Sequence, residues 1–272
     1  MNNITIIIPI HEFNESVSEY LNKAIESIEK QEDVEKKPKV LLVSAYDCVN
    51  EVNKFLQEKY KGEFTSIANQ GKTDYQSQVN FAVESVTTDY FTVLEFDDEL
   101  GSTYFRNTEK YIKAYPEIDI FLTMMIEVNE KNEGIKLTNE TVWAQQFVGE
   151  NGEMGYLNIN SLKQYTDFKL SGAVIKKSDF IGIGKYKSNI KLTFMYEFLL
   201  RALNNASKIF SIPKIGYKHL ATRENSMFDD FQKNMPIEER KFWFETAGRE
   251  ANFINDREID TSRLQKIVVS EK

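Results

Sequence analysis

Phe91-Thr92-Val93-Leu94-Glu95-Phe96-Asp97-Asp98 is the stretch on which the reading of this chain turns. Four residues suited to a buried strand run into three carboxylates within four positions. Alternation along an extended chain sends Glu95 and Asp97 to one side, where they could share a hard cation. Mg2+ and Mn2+ take oxygen ligands, commonly one or two carboxylates together with substrate phosphates. An acidic strand end is also a common plain turn, so residues further out must decide between a site and a turn.

Working back from Phe91, strand and helix signals alternate. Thr5 to Ile10 is a β-branched run, and Val17, Tyr20, Leu21, Ala24, Ile25 and Ile28 recur at helical spacing behind a capping-box pattern at Ser16 and Glu19. Val40 to Val43 and Phe64 to Ile67 read as further strands. A helix bearing Val52, Phe55 and Leu56 lies between them, and another, capped by Asp74, follows. Such alternation predicts parallel βαβ units with right-handed crossovers. In an open parallel sheet the ligand crevice lies beyond the carboxyl ends of the strands. Those ends carry His11-Glu12, Ser44 to Asp47, Asn69-Gln70-Gly71 and Glu95 to Asp98.

Forward of Asp98 the pattern predicts a helix over 104–114 and a long strand over 118–128. A polar segment over 129–160, containing Trp143, is expected to act as a lid or acceptor loop. Strands over 172–176 and 208–212 flank an apolar helix over 194–203, and a helix outside the sheet is expected over 236–253.

At 272 residues, 41% hydrophobic and 12% aromatic, the chain can furnish a packed core. Its 34 basic and 42 acidic residues give a net charge of -8, which argues against charge-driven binding to nucleic acid or anionic membrane. The one cysteine, Cys48, excludes an internal disulfide and a cysteine-type zinc site, and is expected to be a small buried residue. No charged-then-apolar leader opens the sequence, and no apolar run approaches the ~18 residues that span a bilayer. A cytoplasmic location is therefore the expectation, with oligomerisation left open.

Taken in order, the residues resemble family 2 nucleotide-sugar glycosyltransferases with the GT-A fold. The resemblance rests on Ile4 to Pro9 and its following turn, Asn69-Gln70-Gly71, Asn80 within Gln78-Val79-Asn80-Phe81-Ala82, and Thr88-Asp89-Tyr90 leading to Glu95-Phe96-Asp97-Asp98. Gly172-Ala173-Val174, Phe180 to Tyr186 and Phe198-Leu199-Leu200-Arg201 continue it, so that it spans about residues 4 to 226. It implies a Rossmann-like, mostly parallel sheet flanked by helices: a domain over 1–226, with a nucleotide-sugar half (1–100) and an acceptor half (101–226). A small helical extension over 227–272 completes the chain. It further implies a hexosyltransferase-type enzyme that moves a sugar from a nucleotide-sugar donor, a UDP-sugar first of all, to a glycan, protein or other hydroxyl acceptor, with Mn2+ or Mg2+.

By the same resemblance Asp97 is the direct metal ligand and Glu95 meets the ribose or the metal. Pro9, His11, Glu12, Asp47, Asn69, Gly71 and Asn80 stand around the nucleotide. His219 either completes the metal site or is a satisfied structural histidine, and Arg223 either reaches the diphosphate or is solvated at the surface.

Three positions depart from the family pattern. Ser44-Ala45 stands where an acidic pair is usual, Val79 replaces a basic residue, and Phe194-Met195 occupies the place of the acidic pair that supplies the base. An inverting transfer needs a proton acceptor. Glu197 and Asp98 are the nearest candidates, with a solvated helix face as the bland reading of Glu197. A catalytically impaired nucleotide- or sugar-binding or structural protein is the runner-up. A nucleotidyltransferase is disfavoured because Pro9 to Phe13 contains neither Gly nor Lys. A glycoside hydrolase is disfavoured because nothing pairs two carboxylates across a cleft.

Overall fold

Ile4–Ile10 forms strand β1, and every one of its seven residues is buried. Helices cover both faces of the sheet: Ile4, Ile6, Ile8 and Ile10 enter one core, while Ile7 enters the other. The computed structural model describes residues 3–140, 155–223, 226, 231 and 233–264. Around β1 lie α1 (Glu15–Glu29), β2 (Lys39–Ala45), α2 (Val49–Lys59), β3 (Phe64–Asn69), α3 (Tyr75–Ser85) and β4 (Tyr90–Val93). β3, β2, β1 and β4 are neighbours in that order and mutually parallel, as the alternation predicts.

The second half supplies β5 (Glu99–Leu100), α4 (Tyr104–Ala114), β6 (Ile120–Val128), β7 (Gly134–Thr138), β8 (Tyr156–Leu157) and α5 (Ile159–Gln164). β9 (Val174–Lys176), α6 (Lys177–Gly182), α7 (Phe194–Asn204), β10 (Ile209–Leu220) and α8 (Ile237–Glu250) follow. The sheet continues β4-β9-β6-β10-β5, with β9 antiparallel to both its neighbours and β6 parallel to β10. The chain is thus α/β, a mostly parallel sheet with helices on both faces. α1, α2 and α4 pack on one face; α3, α5, α6, α7 and α8 pack on the other.

Three local expectations change. The cap of α1 is Asn14, whose side chain accepts from the Val17 amide, and not the Ser16–Glu19 box. The segment expected to be a loop over 129–160 begins as a hairpin, β7 pairing antiparallel with β6, and ends in β8 and α5, which Asn158 and Ser161 cap reciprocally. Residues 141–154 of that segment, with Trp143, lie outside the described residues. α8 lies outside the sheet as expected, with Phe242, Trp243 and Ala247 buried in the core beside α7.

The third change is the largest. β10 does not stop before Pro213. It runs twelve residues, absorbing Pro213-Lys214 and Gly216 as bulges against β6, and then pairs with β5 through Tyr217 and Lys218. This continuation carries His219 to the acidic turn.

Where the sheet opens, β1 explains how. Leu94 donates its amide to the Ile7 carbonyl, the last bond between β1 and the β4 side. The next donor toward that side would be residue 9, and Pro9 has no N–H to give, so the ladder to β4 ends there. No helix among the described residues is long and apolar enough to cross a membrane.

Candidate functional site

Beyond Val93 the chain leaves the ladder and turns at once. Asp98 donates its amide to the Glu95 carbonyl at 3.0 Å, closing a turn over 95–98. Tyr217, on β10, accepts the Glu95 amide on its hydroxyl at 3.1 Å. The turn adds Asp98 to the pair that alternation alone places together: ligand oxygens of Glu95, Asp97 and Asp98 all lie within 4.8 Å of one another.

Each carboxylate is held differently. Glu95 accepts from the Ser171 hydroxyl at 2.5 Å. Burial, reinforced by the negative charge of Asp98, pushes its carboxyl up to about 7. Asp97 accepts from Arg223 Nε at 2.5 Å, and the Arg223 guanidinium also lies 5.2 Å from the centre of the Phe96 ring. Burial and the neighbouring Asp98 still raise the Asp97 carboxyl above its ordinary value, against the pull of Arg223. Asp98 is 1% exposed and accepts from the Leu220 amide at 2.9 Å. It also holds His219 Nδ1 at 3.0 Å. Burial alone would lower the His219 imidazole; the charge and hydrogen bond of Asp98 outweigh it and lift the group to about 9.

Two hollows meet at this turn. One, of about 510 Å³, is polar and lies against His11, Glu12, Tyr20, Phe96 and Arg223. The other, of about 410 Å³, has Glu95, Ser171 and His219 at one end and Phe168, Leu192, Phe194 and Met195 in its walls. Hollows of this size suit a small-molecule ligand.

The residues expected around a nucleotide separate into two groups. Pro9, His11 and Glu12 sit at the end of β1, with the His11 ring 5.8 Å from Phe96. Asp47 is exposed in the turn after β2, and Gly71 is exposed after β3. Asn69 and Asn80 have other duties. Asn69 folds its own loop, accepting from the Gly71 amide and donating to Lys72 O and Gln78 Oε1. Asn80 spends both ends of its amide on the backbone of Tyr186, tying α3 to the segment after α6.

Glu197 departs furthest from expectation. It is neither solvated nor in the hollow but fully buried, bonded to Arg201 at 2.8 and 2.9 Å and lying 3.3 Å from Lys187 Nζ. A carboxylate so enclosed cannot approach an acceptor hydroxyl. Asp98 likewise faces His219 and not either hollow. Phe194 and Met195 form a wall at the position where the family pattern has its base.

Ser171 and Tyr217 escape the sequence reading. Ser171 precedes Gly172, whose φ of +70° disfavours a side chain, and an added Cβ would lie 2.2 Å from the Tyr217 ring. That intolerant glycine, inside a segment already singled out, was the available signal.

The donor set suits a hard divalent cation. It consists of carboxylate oxygens at close spacing, with two of the carboxyls raised by burial and mutual repulsion that a cation would relieve.

The architecture belongs to the class seen in solved glycosyltransferase structures. Structures of TarS from S. aureus are among those that match: TarS superposes with a TM-score of 0.62 at 14% identity over 99% of this chain. This chain spans 46% of the length of that one. TarS 1–349 in complex with UDP-GlcNAc gives a TM-score of 0.61 at 13% identity, over 92% of this chain and 81% of the other. The same fragment with UDP gives 0.57 at 14% identity, over 91% and 80%. No family model matches the chain, and no curated protein matches it.

Proposed function

We propose that the chain is a metal-dependent glycosyltransferase of the GT-A, family 2 type, taking a nucleotide-sugar donor at the carboxyl ends of β1 to β4. The observation that carries this reading is the Glu95-Asp97-Asp98 turn, three carboxylates drawn together at the mouth of a parallel sheet beside Arg223 and His219. The fold likeness to TarS, solved with UDP-GlcNAc, supports it and suggests a UDP-sugar first.

Asp97 and Glu95 are the residues to hold Mn2+ or Mg2+, with His219 beside them. Such an ion supplies Lewis-acid stabilisation of a departing nucleoside diphosphate. Arg223 offers a guanidinium fork suited to phosphate once it leaves Asp97. Asp98 fixes the orientation of His219 from beneath. His11 and Phe96 offer ring faces near the first turn, and the 410 Å³ hollow leads away from Glu95 as the acceptor side.

A second reading has its own observation. Phe194-Met195 cannot accept a proton, and Glu197 is locked to Arg201 and Lys187. A donor-binding protein with impaired transfer fits this equally well.

The test is a thermal-shift screen with UDP-, GDP-, dTDP- and CMP-sugars, each with and without Mn2+. A ligand that binds only the native state raises the midpoint. A rise that needs both a nucleotide-sugar and Mn2+ supports the donor site, and no rise with any of them removes it. Release of free sugar from the binding donor then separates the enzyme from the binding protein.

A further inference from the structure

The hollow beside Glu95 is built for an apolar occupant. Phe168, Leu192, Phe194 and Met195 face it, and it continues past Tyr196 and Phe244 into an outer hollow of about 480 Å³ near Ile237. Phe244 and Ile237 are 38% and 61% exposed, leaving an apolar track from the acidic turn to the surface. A contiguous apolar lining that runs from a buried hollow to the surface is a mark of a ligand-binding groove.

Near Glu95 the polar side chains are largely engaged with protein partners, while Thr166, Arg240, Lys241 and Glu245 border the outer hollow. The Ser171 hydroxyl donates to Glu95, Thr193 Oγ1 donates to the Trp243 carbonyl at 2.8 Å, and Lys169 Nζ lies 3.0 Å from Glu127. Asp167 is paired with Lys136 at 2.6 Å. A sugar ring buried between Phe168, Leu192, Phe194 and Met195 would give up hydrogen bonds to water and find few replacements, whereas a hydrocarbon surface gives up nothing.

We propose that the acceptor carries an aryl or alkyl group that fills this track, leaving its hydroxyl at the Glu95–His219 end. Calling the occupant the acceptor rests on the donor reading above. That the track takes an apolar group rests on the walls alone.

Calorimetry on the full chain with paired 4-nitrophenyl and methyl glycosides of glucose, galactose and N-acetylglucosamine tests it, with UDP plus Mn2+ titrated separately. In at least one pair the aryl member binds about tenfold tighter or more, the order of discrimination that an apolar pocket provides. Phe244→Ser, at a half-exposed position, and Met195→Ser each reduce that ratio severalfold, and thermal midpoints report whether the variants fold. No aryl preference in any pair, or a preference untouched by both substitutions, overturns the proposal. Aryl preference without UDP binding retains the apolar site and removes the donor reading; UDP binding without aryl preference does the reverse.

Discussion

Glu95 and His219 make the stability of the chain depend on pH in a calculable direction. The Glu95 carboxyl titrates near 7 in the folded chain against 4.5 unfolded, so the folded state keeps a proton that the unfolded state has shed. Stability from this group therefore falls as pH rises from 4.5 to about 7. His219, raised from 6.5 to about 9, contributes fully below pH 6.5 and loses its contribution as pH rises through about 9. Glu95→Gln should flatten the lower slope of the urea midpoint against pH and keep the upper one; an unchanged lower slope would show that Glu95 is not so perturbed. Glu197 makes a second prediction. Truncation to Ala leaves Arg201 and Lys187, each at most 1% exposed, without this carboxylate and with backbone carbonyls as their hydrogen-bond partners, and should cost about 3–5 kcal/mol by denaturation. Nucleotide binding by the folded fraction should be unchanged, and a loss of UDP affinity at full stability would return Glu197 to the site. The acidity of Glu95 to Asp98 was legible because strand alternation and hard-ligand chemistry are local. The burial of Glu197 was not: Arg201 stands one turn along the same helix, where an i,i+4 pair ordinarily reads as solvated, and only packing against Lys187 and the backbone carbonyls of Ile183 and Lys185 encloses the pair.

Among the elements, the first four strands and three helices could be read from periodicity because each βαβ unit buries residues near in sequence. β10 could not. Pro213 reads as a terminator, and only the partner β6 shows that two bulges carry the strand onward to Leu220. In the sequence only the family resemblance, and no strand pattern, brings His219 to the acidic turn. The hairpin of β6 and β7 was missed for the same reason: Gly134–Thr138 has four exposed residues and one buried, a weak apolar signal. The join between β10 and the segment before β9 is the tightest fit near the site. Gly172 accepts from Tyr104 Oη at 2.9 Å and from Thr123 Oγ1 at 3.2 Å, with Tyr217 against its α-carbon. Gly172→Ala must displace Tyr217 or the Ser171 segment and should destabilise by about 1–3 kcal/mol, visible as a lower urea midpoint. A neutral substitution would mean that this contact is looser than the structure has it.

At the scale of the whole molecule, the sheet brings the ends of β1 to β4 and the tail of β10 to one edge, where carboxylates, Arg223 and His219 collect. An α/β fold of this kind hosts many chemistries, so the function rests on that edge and not on the likeness to TarS. The most direct measurement is calorimetric titration of UDP into the full chain, with and without Mn2+, alongside the Asp97→Ala variant. The account predicts binding that requires Mn2+ and is lost in Asp97→Ala while the thermal midpoint without ligand shows the variant folded. UDP affinity that is the same with and without Mn2+, or that survives Asp97→Ala in Mn2+, would contradict it.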